Sequence, residues 1–337
     1  MNSFGRIFRV NIFGESHGES VGVNIDGCPA GLPLTVEDFL EDIERRKGGT
    51  QKGTTPRKED DIPVFKSGIF NNKTTGAPIT ILFENKNTRS ADYEKQRAVP
   101  RPGHADFVAH KKFVGFEDYR GGGHFSGRLT VGLVAAGVIA KRLLLTCESE
   151  TKMNVHASIL EIGGETDLEK GLQKAIDAKD SIGGIVECRV DGLPVGLGEP
   201  FFDSVESVLS HAVFAIPAVR GVEFGTGFAA AKMFGIDHND AIESENGKTK
   251  TNHAGGVVGG ITNGNELVFR IAIKPTSSTP KEQQTLNWET GQVEPFSVKG
   301  RHDLCIALRV PVVLEAITAM VLADLLLLEQ HIKRIVG

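Results

Sequence analysis

Three glycine-rich segments, each carrying a histidine, hold the residue types that acid–base chemistry on an anionic substrate needs. Gly14-Glu-Ser-His-Gly18 puts His17 in a glycine-flanked turn, with the hydroxyl of Ser16 beside it. An imidazole there titrates near neutrality. The serine is not the central residue of a GxSxG elbow, so a hydrolase nucleophile is not indicated. Arg101-Pro-Gly-His-Ala-Asp106 places Arg101, His104 and Asp106 within one turn. A carboxylate beside an imidazole fixes its tautomer and tunes its pKa. Arg120-Gly-Gly-Gly-His-Phe-Ser-Gly-Arg128 is a glycine loop leading into a Gly/Ala-rich helix. Backbone N–H groups at a helix start suit a phosphate, and Arg120 and Arg128 add fork-shaped donors. Each segment alone also fits a purely structural turn. Together they suit acid–base chemistry on a phosphorylated carboxylate.

Three basic segments surround these. Residues 45–58 read RRKGGTQKGTTPRK. The run fits either a solvated charge cluster at a helix C-terminus or a loop that closes on a polyanion. No aromatic residues are interleaved for base stacking, so nucleic-acid binding is not expected. Lys274-Pro-Thr-Ser-Ser278 follows a strand and offers one ammonium and three hydroxyls, either to a phosphate or flavin edge or to a capped turn. Lys299-Gly-Arg-His-Asp303 precedes the last helices. Its His-Asp pair lies near Cys305 but matches no standard metal-ligand spacing, so no metal is expected.

The elements that must position these groups show an internal repeat. Residues 26–32 read DGCPAGL and residues 191–197 read DGLPVGL. Each copy follows a β-branched run, Val21 to Ile25 or Ile185 to Val190, and each precedes a helix. Thr35 with Asp38 and Asp203 with Glu206 form the expected capping boxes. Strands are expected again at Gly76 to Phe83 and at Gly264 to Ile273. A Gly/Ala-rich helix from Arg128 to Leu145 permits close helix contact. A helix from Pro311 to Gln330 is apolar on more than one face and must be buried. No GxGxxG joins a strand to a helix, which argues against a dinucleotide-binding sheet. The pattern predicts an α+β fold: a β-α-β sandwich with buried central helices between antiparallel sheets and an internal pseudo-twofold repeat. The expectation is one domain over 1–337, made of two similar halves, roughly 1–150 and 151–337.

Composition narrows the class. The net charge is −5, so an anion must be met by local basic clusters and not by a global field. Glycine contributes 40 of 337 residues, well above the usual ~7%, which permits close backbone approach to a ligand. The four cysteines form no CxxC pair, which fits a reducing, cytoplasmic compartment. Arg6, Arg9 and Glu15 interrupt the N-terminal apolar residues, so no signal peptide is expected. Glu315 and Asp324 break the late apolar stretch, so a membrane span is not expected.

With these motifs in place, the chain resembles the chorismate synthase family. GESHG, DGxPxGL, RRKGG, TPRKED, RPGHAD, YRGGG…SGR, NHAGG, KPTSS and KGRHD stand in the family's order from residue 5 to 330. The resemblance implies a 1,4-anti elimination of phosphate from 5-enolpyruvylshikimate 3-phosphate. It implies reduced FMN as cofactor, with NADPH as a reductant, and a homotetramer. It also implies roles. His17 protonates the departing phosphate, His104 protonates the reduced flavin, and Asp303 acts near the flavin with Ser16 as its hydroxyl partner. Flavin contacts fall on His124, Phe125, Ser126, Pro217, Ala218, Gly259, Lys274, Pro275, Thr276, Ser277, Ser278 and Arg301. Arg45, Arg46, Arg101 and Arg128 become clamps for substrate or NADPH. The chain departs from the family pattern at His124-Phe125, where Arg-Ser is common, at Pro217, where Asn is common, and at Leu304, where Pro is common. Two other readings remain at this level: a flavin reductase, and an anion-binding protein without catalysis.

Overall fold

The computed structural model describes residues 2–49, 52–55, 59–87, 97–147, 152–298 and 302–332. In the first half, β1 (Ser3–Phe4), β2 (Arg9–Gly14), β3 (Ser20–Asp26) and β4 (Val64–Ser67) join β7 (Ile79–Glu84) in one antiparallel sheet; β5 (Ile69–Phe70) and β6 (Lys73–Thr74) form a small hairpin beside it. In the second half, β8 (Asn154–Ile162), β9 (Gly184–Asp191) and β10 (Val219–Phe224) join β13 (Leu267–Ile273). The strands β11 (Val257–Val258) and β12 (Ile261–Thr262) pair, as do β14 (Gln283–Asn287) and β15 (Gln292–Phe296). The helices are α1 (Glu37–Arg46), α2 (Asp106–Phe113), α3 (Thr130–Leu144), α4 (Leu168–Ala178), α5 (Val205–Val213), α6 (Gly235–His238) and α7 (Val310–Leu328).

The two sheets share one plan. The first runs β2-β3-β7-β4 after its short edge strand, and the second runs β8-β9-β13-β10. Each DGxPxGL turn follows the second strand of its set and leads toward α1 or α5. Alternation sets the buried faces. Val21, Val23 and Ile25 stand opposite Phe83, Ile81 and Ile79, and all six are buried. In the second sheet Val186, Cys188 and Val190 stand opposite Ile271, Phe269 and Leu267, also buried.

Helices α3 and α7 fill the space between the sheets. α3 packs on β3, α7 packs on β8 and β9, and the two helices pack on each other. The small residues of α3 make this possible. A Cβ at Gly137 would fall 2.2 Å from the Ala316 Cβ, and one at Gly132 would fall 3.1 Å from the Gly22 carbonyl. Every residue of α7 from Val312 to Leu327 is buried. The helix is long and apolar enough to cross a membrane by composition, yet its surroundings are the two sheets and α3. Its two carboxylates are both paired. Glu315 meets Arg45 and Lys141, and Asp324 accepts the backbone N–H groups of Arg6, Ile7 and Phe8. A buried charge persists only when compensated in this way.

One cap differs from expectation. Ser204, not Asp203, caps α5 by accepting from Ser207 N at 3.1 Å. Asp203 instead pairs with Arg6. At α1, Asp38 accepts from Thr35 N at 2.8 Å, one half of the predicted capping box.

Candidate active site

A cavity of about 740 Å³ opens between the sheets, walled by the starts of α3 and α7 and by the glycine-rich loops. Its lining carries Arg46, Lys47, Arg101, Arg128, Lys274 and Arg309 against Glu59, Asp61 and Asp303, among the described residues. The balance favours an anionic ligand in a protein of net negative charge. Phe4, Ile12, Val313 and Met320 add an apolar wall.

The glycine loop separates two histidines. Gly121 and Gly122 both have positive φ, at 61° and 82°. A Cβ on Gly121 would lie 2.5 Å from His17 Cδ2 and 3.0 Å from Ser16 Oγ. A Cβ on Gly122 would lie 3.2 Å from His104 Cε1. The two imidazoles therefore pack against neighbouring residues of one loop, although 87 positions separate them in sequence (17 and 104). Hydrogen bonds hold the loop in place: Ser16 N donates to Gly123 O at 3.0 Å, and His124 Nδ1 meets Gly14 O at 2.8 Å. A carbonyl only accepts, so His124 carries its proton on Nδ1. Gly121→Ala should force His17 aside and strain a left-handed backbone. We expect kcat to fall at least about tenfold, with a stability loss of about 1–3 kcal/mol from the strained backbone; an unchanged kcat in folded protein would show that the loop does not set the His17 position.

His104 is oriented by Asp106. Its Nδ1 lies 2.5 Å from Asp106 Oδ1 and 3.1 Å from Arg101 Nη2. A ring nitrogen that donates to a carboxylate cannot also accept from a guanidinium, so Nδ1–H to Asp106 is the consistent assignment. Burial alone would raise the Asp106 carboxyl. Hydrogen bonds from Arg101 and His104 outweigh it and hold the group well below the usual carboxylate range. Arg101 Nε donates to Asp106 Oδ2 at 2.7 Å and Nη2 to Oδ1 at 2.8 Å, a bidentate pair.

Arg46, at the end of α1, and Arg128, just before α3, share the carboxylate of Asp61. Arg46 Nη2 donates to Oδ2 at 2.7 Å, and Arg128 Nη1 pairs with Oδ1. The three side chains are at most 4% exposed. Arg128 also reaches Asn85 Oδ1 at 2.9 Å, and Arg46 reaches Thr130 Oγ1 at 3.3 Å. Burial pushes the Arg46 guanidinium down to about 10, which still leaves it charged at neutral pH. Two guanidinium groups over one carboxylate leave a positive excess at the cavity wall. Asp61 adopts a positive φ of 51°, unusual for a residue with a Cβ.

Asp303 lies across the cavity lining with its carboxylate fully engaged. Oδ1 accepts from Thr55 N at 2.8 Å and Oδ2 from Arg309 Nη1 at 3.0 Å. Burial lowers the pKa of neighbouring His302, with Asp303 opposing the shift and Arg101 adding to it. The 274–278 turn is stitched to two other motifs. Thr276 Oγ1 donates to Asp303 O at 3.0 Å, Ser277 Oγ to Gly103 O at 2.6 Å, and Arg101 Nη1 to Ser278 Oγ at 3.4 Å. Lys274 N donates to Ala218 O at 2.9 Å, which brings Pro217 and Ala218 to the same wall. Phe125 and Ser126 line it from the glycine loop.

Four expected site residues stand elsewhere. Arg45 is turned away from the cavity: one face of the helix cannot present consecutive residues, and Arg45 is spent on Glu315, at 2.7 and 2.8 Å, and on Asp42. Gly259 sits in the turn between β11 and β12, off the cavity lining. Pro275 points off the lining while its neighbours Lys274 and Thr276 remain on it. Ser16 is wholly buried beside His17, with its Oγ packed against Gly121 and off the cavity lining. Arg301 lies outside the described residues. Thr55 is read only as a member of the basic run 45–58 and of TPRKED, and Asp61 and Arg309 go unread in the sequence. Of these two, Arg309 leaves a signal there, as a lone cation inside the apolar run from Cys305 to Leu314. No group of three or more His, Cys, Asp or Glu suits a metal among the described residues.

The family model described as chorismate synthase matches residues 8–327. Chorismate synthase of Chitinophaga pinensis is 72% identical over 335 residues, covering 99% of each chain. That of Dehalococcoides mccartyi is 45% identical over 360 residues, covering 99% of each. That of Methanocaldococcus jannaschii is 42% identical over 365 residues, covering 97% of this chain and 96% of the relative. A crystal structure of chorismate synthase superposes with a TM-score of 0.72 at 26% identity, over 96% of this chain and 93% of that one.

Proposed function

The chain belongs to the chorismate synthase family, and from that premise we propose that its cavity eliminates phosphate with reduced FMN bound and with His17, His104 and Asp303 as the working titratable groups. The family is a carbon–oxygen lyase of the shikimate pathway, converting 5-enolpyruvylshikimate 3-phosphate to chorismate and phosphate. In a 1,4-elimination the substrate loses a proton from one carbon and phosphate from another, and two double bonds end in conjugation. No electrons are gained or lost overall.

The observation that carries this reading is the placement of His17 and His104 on adjacent residues of one glycine loop, at a cavity lined by excess positive charge. A departing phosphate gains charge as its C–O bond breaks. An imidazolium at His17 and the guanidinium groups of Arg101, Arg46 and Arg128 stabilise that charge more in the transition state than in the bound substrate. His104, its tautomer set by Asp106, keeps Nε2 available for proton exchange. Asp303 is held at the cavity lining by Thr55 and Arg309, which fix the orientation of its carboxylate.

The lining suits a flavin as well as a phosphorylated carbocyclic acid. Its volume of about 740 Å³ falls in the range of about 300–1,000 Å³ typical of ligand sites, and it combines apolar side chains with basic ones. His124 to Ser126, Pro217, Ala218, Lys274 and Thr276 to Ser278 are the residues that would hold it. Burial lowers the Lys274 pKa, and nearby Arg220 adds to the effect. A reduced flavin held by these residues would supply the electron density that eases C–O cleavage, with no net change in its oxidation state. NADPH is the proposed reductant, with Arg46 among its contacts.

A homotetramer is the proposed assembly. Phe201, Phe202, Phe228, Phe234 and Ile236 are each at least 78% exposed, and a surface of this kind supports association. A single domain of two halves, roughly 1–150 and 151–337, is supported by their shared strand order. Four free cysteines fit a cytoplasmic setting, and the proposed ligands are small anions, without nucleic acid or membrane.

The test is phosphate release from 5-enolpyruvylshikimate 3-phosphate in the absence of oxygen, with and without reduced FMN. We expect release only with reduced flavin, one chorismate per phosphate, and no nicotinamide consumed per turnover. Flavin-independent release, or one NADPH oxidised per product, would overturn the reading and favour a hydrolase or a reductase.

A further inference from the structure

Arg309 belongs to none of the motifs that identify the family. It stands immediately before α7, with its side chain 17% exposed. Its Nε donates to the main-chain carbonyl of Arg46 at 2.9 Å. Its Nη1 donates to Asp303, at 3.0 Å to Oδ2 and 3.4 Å to Oδ1. The Arg46 carbonyl ends α1, so one edge of the guanidinium is anchored to a helix. The other edge meets a carboxylate that comes from the loop before α7.

We propose that Arg309 is a positioning residue for the elimination: it sets the orientation of the Asp303 carboxylate and acts through it, without contacting the substrate. The proposal rests on the reading of Asp303 as a working group. Among the described residues Thr55 N is the other donor to Asp303, and it reaches only Oδ1. One hydrogen bond leaves a carboxylate free to turn about its Cβ–Cγ bond; the donor on Oδ2 removes that freedom. A guanidinium does this better than an ammonium, because its plane is rigid and its Nε and Nη donors diverge at a fixed angle. A lysine would reach Asp303 or the Arg46 carbonyl but not both. A repulsive contact is built in as well. Arg309 lies close enough to Arg46 to push the Arg46 pKa down, after burial and against the pull of Asp61. A second cation beside a buried arginine is tolerated here because Asp303 and Asp61 compensate the two.

The test uses Arg309→Met, Arg309→Lys, Asp303→Asn and the double variant Asp303→Asn/Arg309→Met, assayed anaerobically with reduced FMN. Binding of 5-enolpyruvylshikimate 3-phosphate to the flavin-free protein is followed in parallel by calorimetry. Arg309→Met should lower kcat at least about tenfold while substrate Kd and KM stay within about threefold. Arg309→Lys should recover part of that loss. The double variant should be no slower than Asp303→Asn alone, because both changes remove the same function. A double variant slowed by the product of the two single effects would overturn the proposal. So would an Arg309→Met protein with raised Kd and normal kcat, which marks a substrate contact. Should Arg309→Met fail to fold, Arg309→Lys in the wild-type and Asp303→Asn backgrounds gives the same comparison. Wild-type kcat in Asp303→Asn sinks the reading of Asp303 and the proposal with it. Slow Asp303→Asn with an additive Arg309 effect sinks the proposal alone.

Discussion

Alanine at His17 should lower kcat by about 10²-fold or more while the protein stays folded, and alanine at His104 should do the same. The two losses have different origins. His17 packs against Gly121 and Ser16, facing the cavity where a phosphate would leave. Without its imidazole, the leaving group departs with a full negative charge, balanced only by fixed guanidinium groups. His104 is locked by Asp106 and Arg101, so its removal takes away a proton carrier whose tautomer the structure has already chosen. External imidazole should restore part of the activity lost at His17, because Gly121 leaves no Cβ to fill the gap. Measurement of kcat, KM and thermal midpoint on each variant decides the matter. Turnover within about threefold of wild type, in folded protein with reduced FMN, removes the role from that histidine.

The second large effect should come from Asp61→Asn, and its sign separates charge from geometry. The change removes one negative charge from the cavity wall. If charge alone governed affinity, the more positive site would hold the anionic substrate more tightly. Asp61 instead sits between Arg46 and Arg128 and aligns both guanidinium groups. Asparagine offers a single acceptor oxygen and an NH₂ that repels the second arginine. We therefore expect KM to rise about tenfold or more, against the simple electrostatic trend. Stability should fall by about 3–5 kcal/mol, since two guanidinium groups at most 4% exposed lose their shared counter-ion. The Asp61 carboxyl behaves consistently. Burial would raise its pKa, but Arg46 and Arg128 outweigh this and hold it low. Its contribution is present above the unfolded carboxyl pKa of about 3.9 and is lost as pH falls further. A KM equal to or below wild type in folded Asp61→Asn would show that the arginines need no alignment.

Local rules carried much of what the chain reveals about itself. Period-two alternation in Val21 to Ile25 and in Ile185 to Val190 settles which faces those strands bury. The small residues of α3 announce a close helix contact, realised where Gly137 meets Ala316. The glycine loop, the two histidine motifs and the KPTSS turn declare a site because each places chemical groups on backbone that only turns adopt. Consecutive basic residues were less legible. Arg45 and Arg46 look alike in sequence, yet one step around a helix is about 100°. One arginine therefore faces the cavity and the other faces Glu315.

What only the tertiary structure decided is which groups compensate one another. Asp303 meets Thr55 across 248 positions, and Arg128 meets Asp61 across 67. No local propensity encodes such pairs. They form because packing α3 and α7 between two sheets brings loops from both halves to one cavity, where a buried charge without a partner is too costly to keep. Sequence determined the chemical groups and the surfaces that had to be buried. Burial then determined the partners, because each charge carried into the interior had to meet its opposite there.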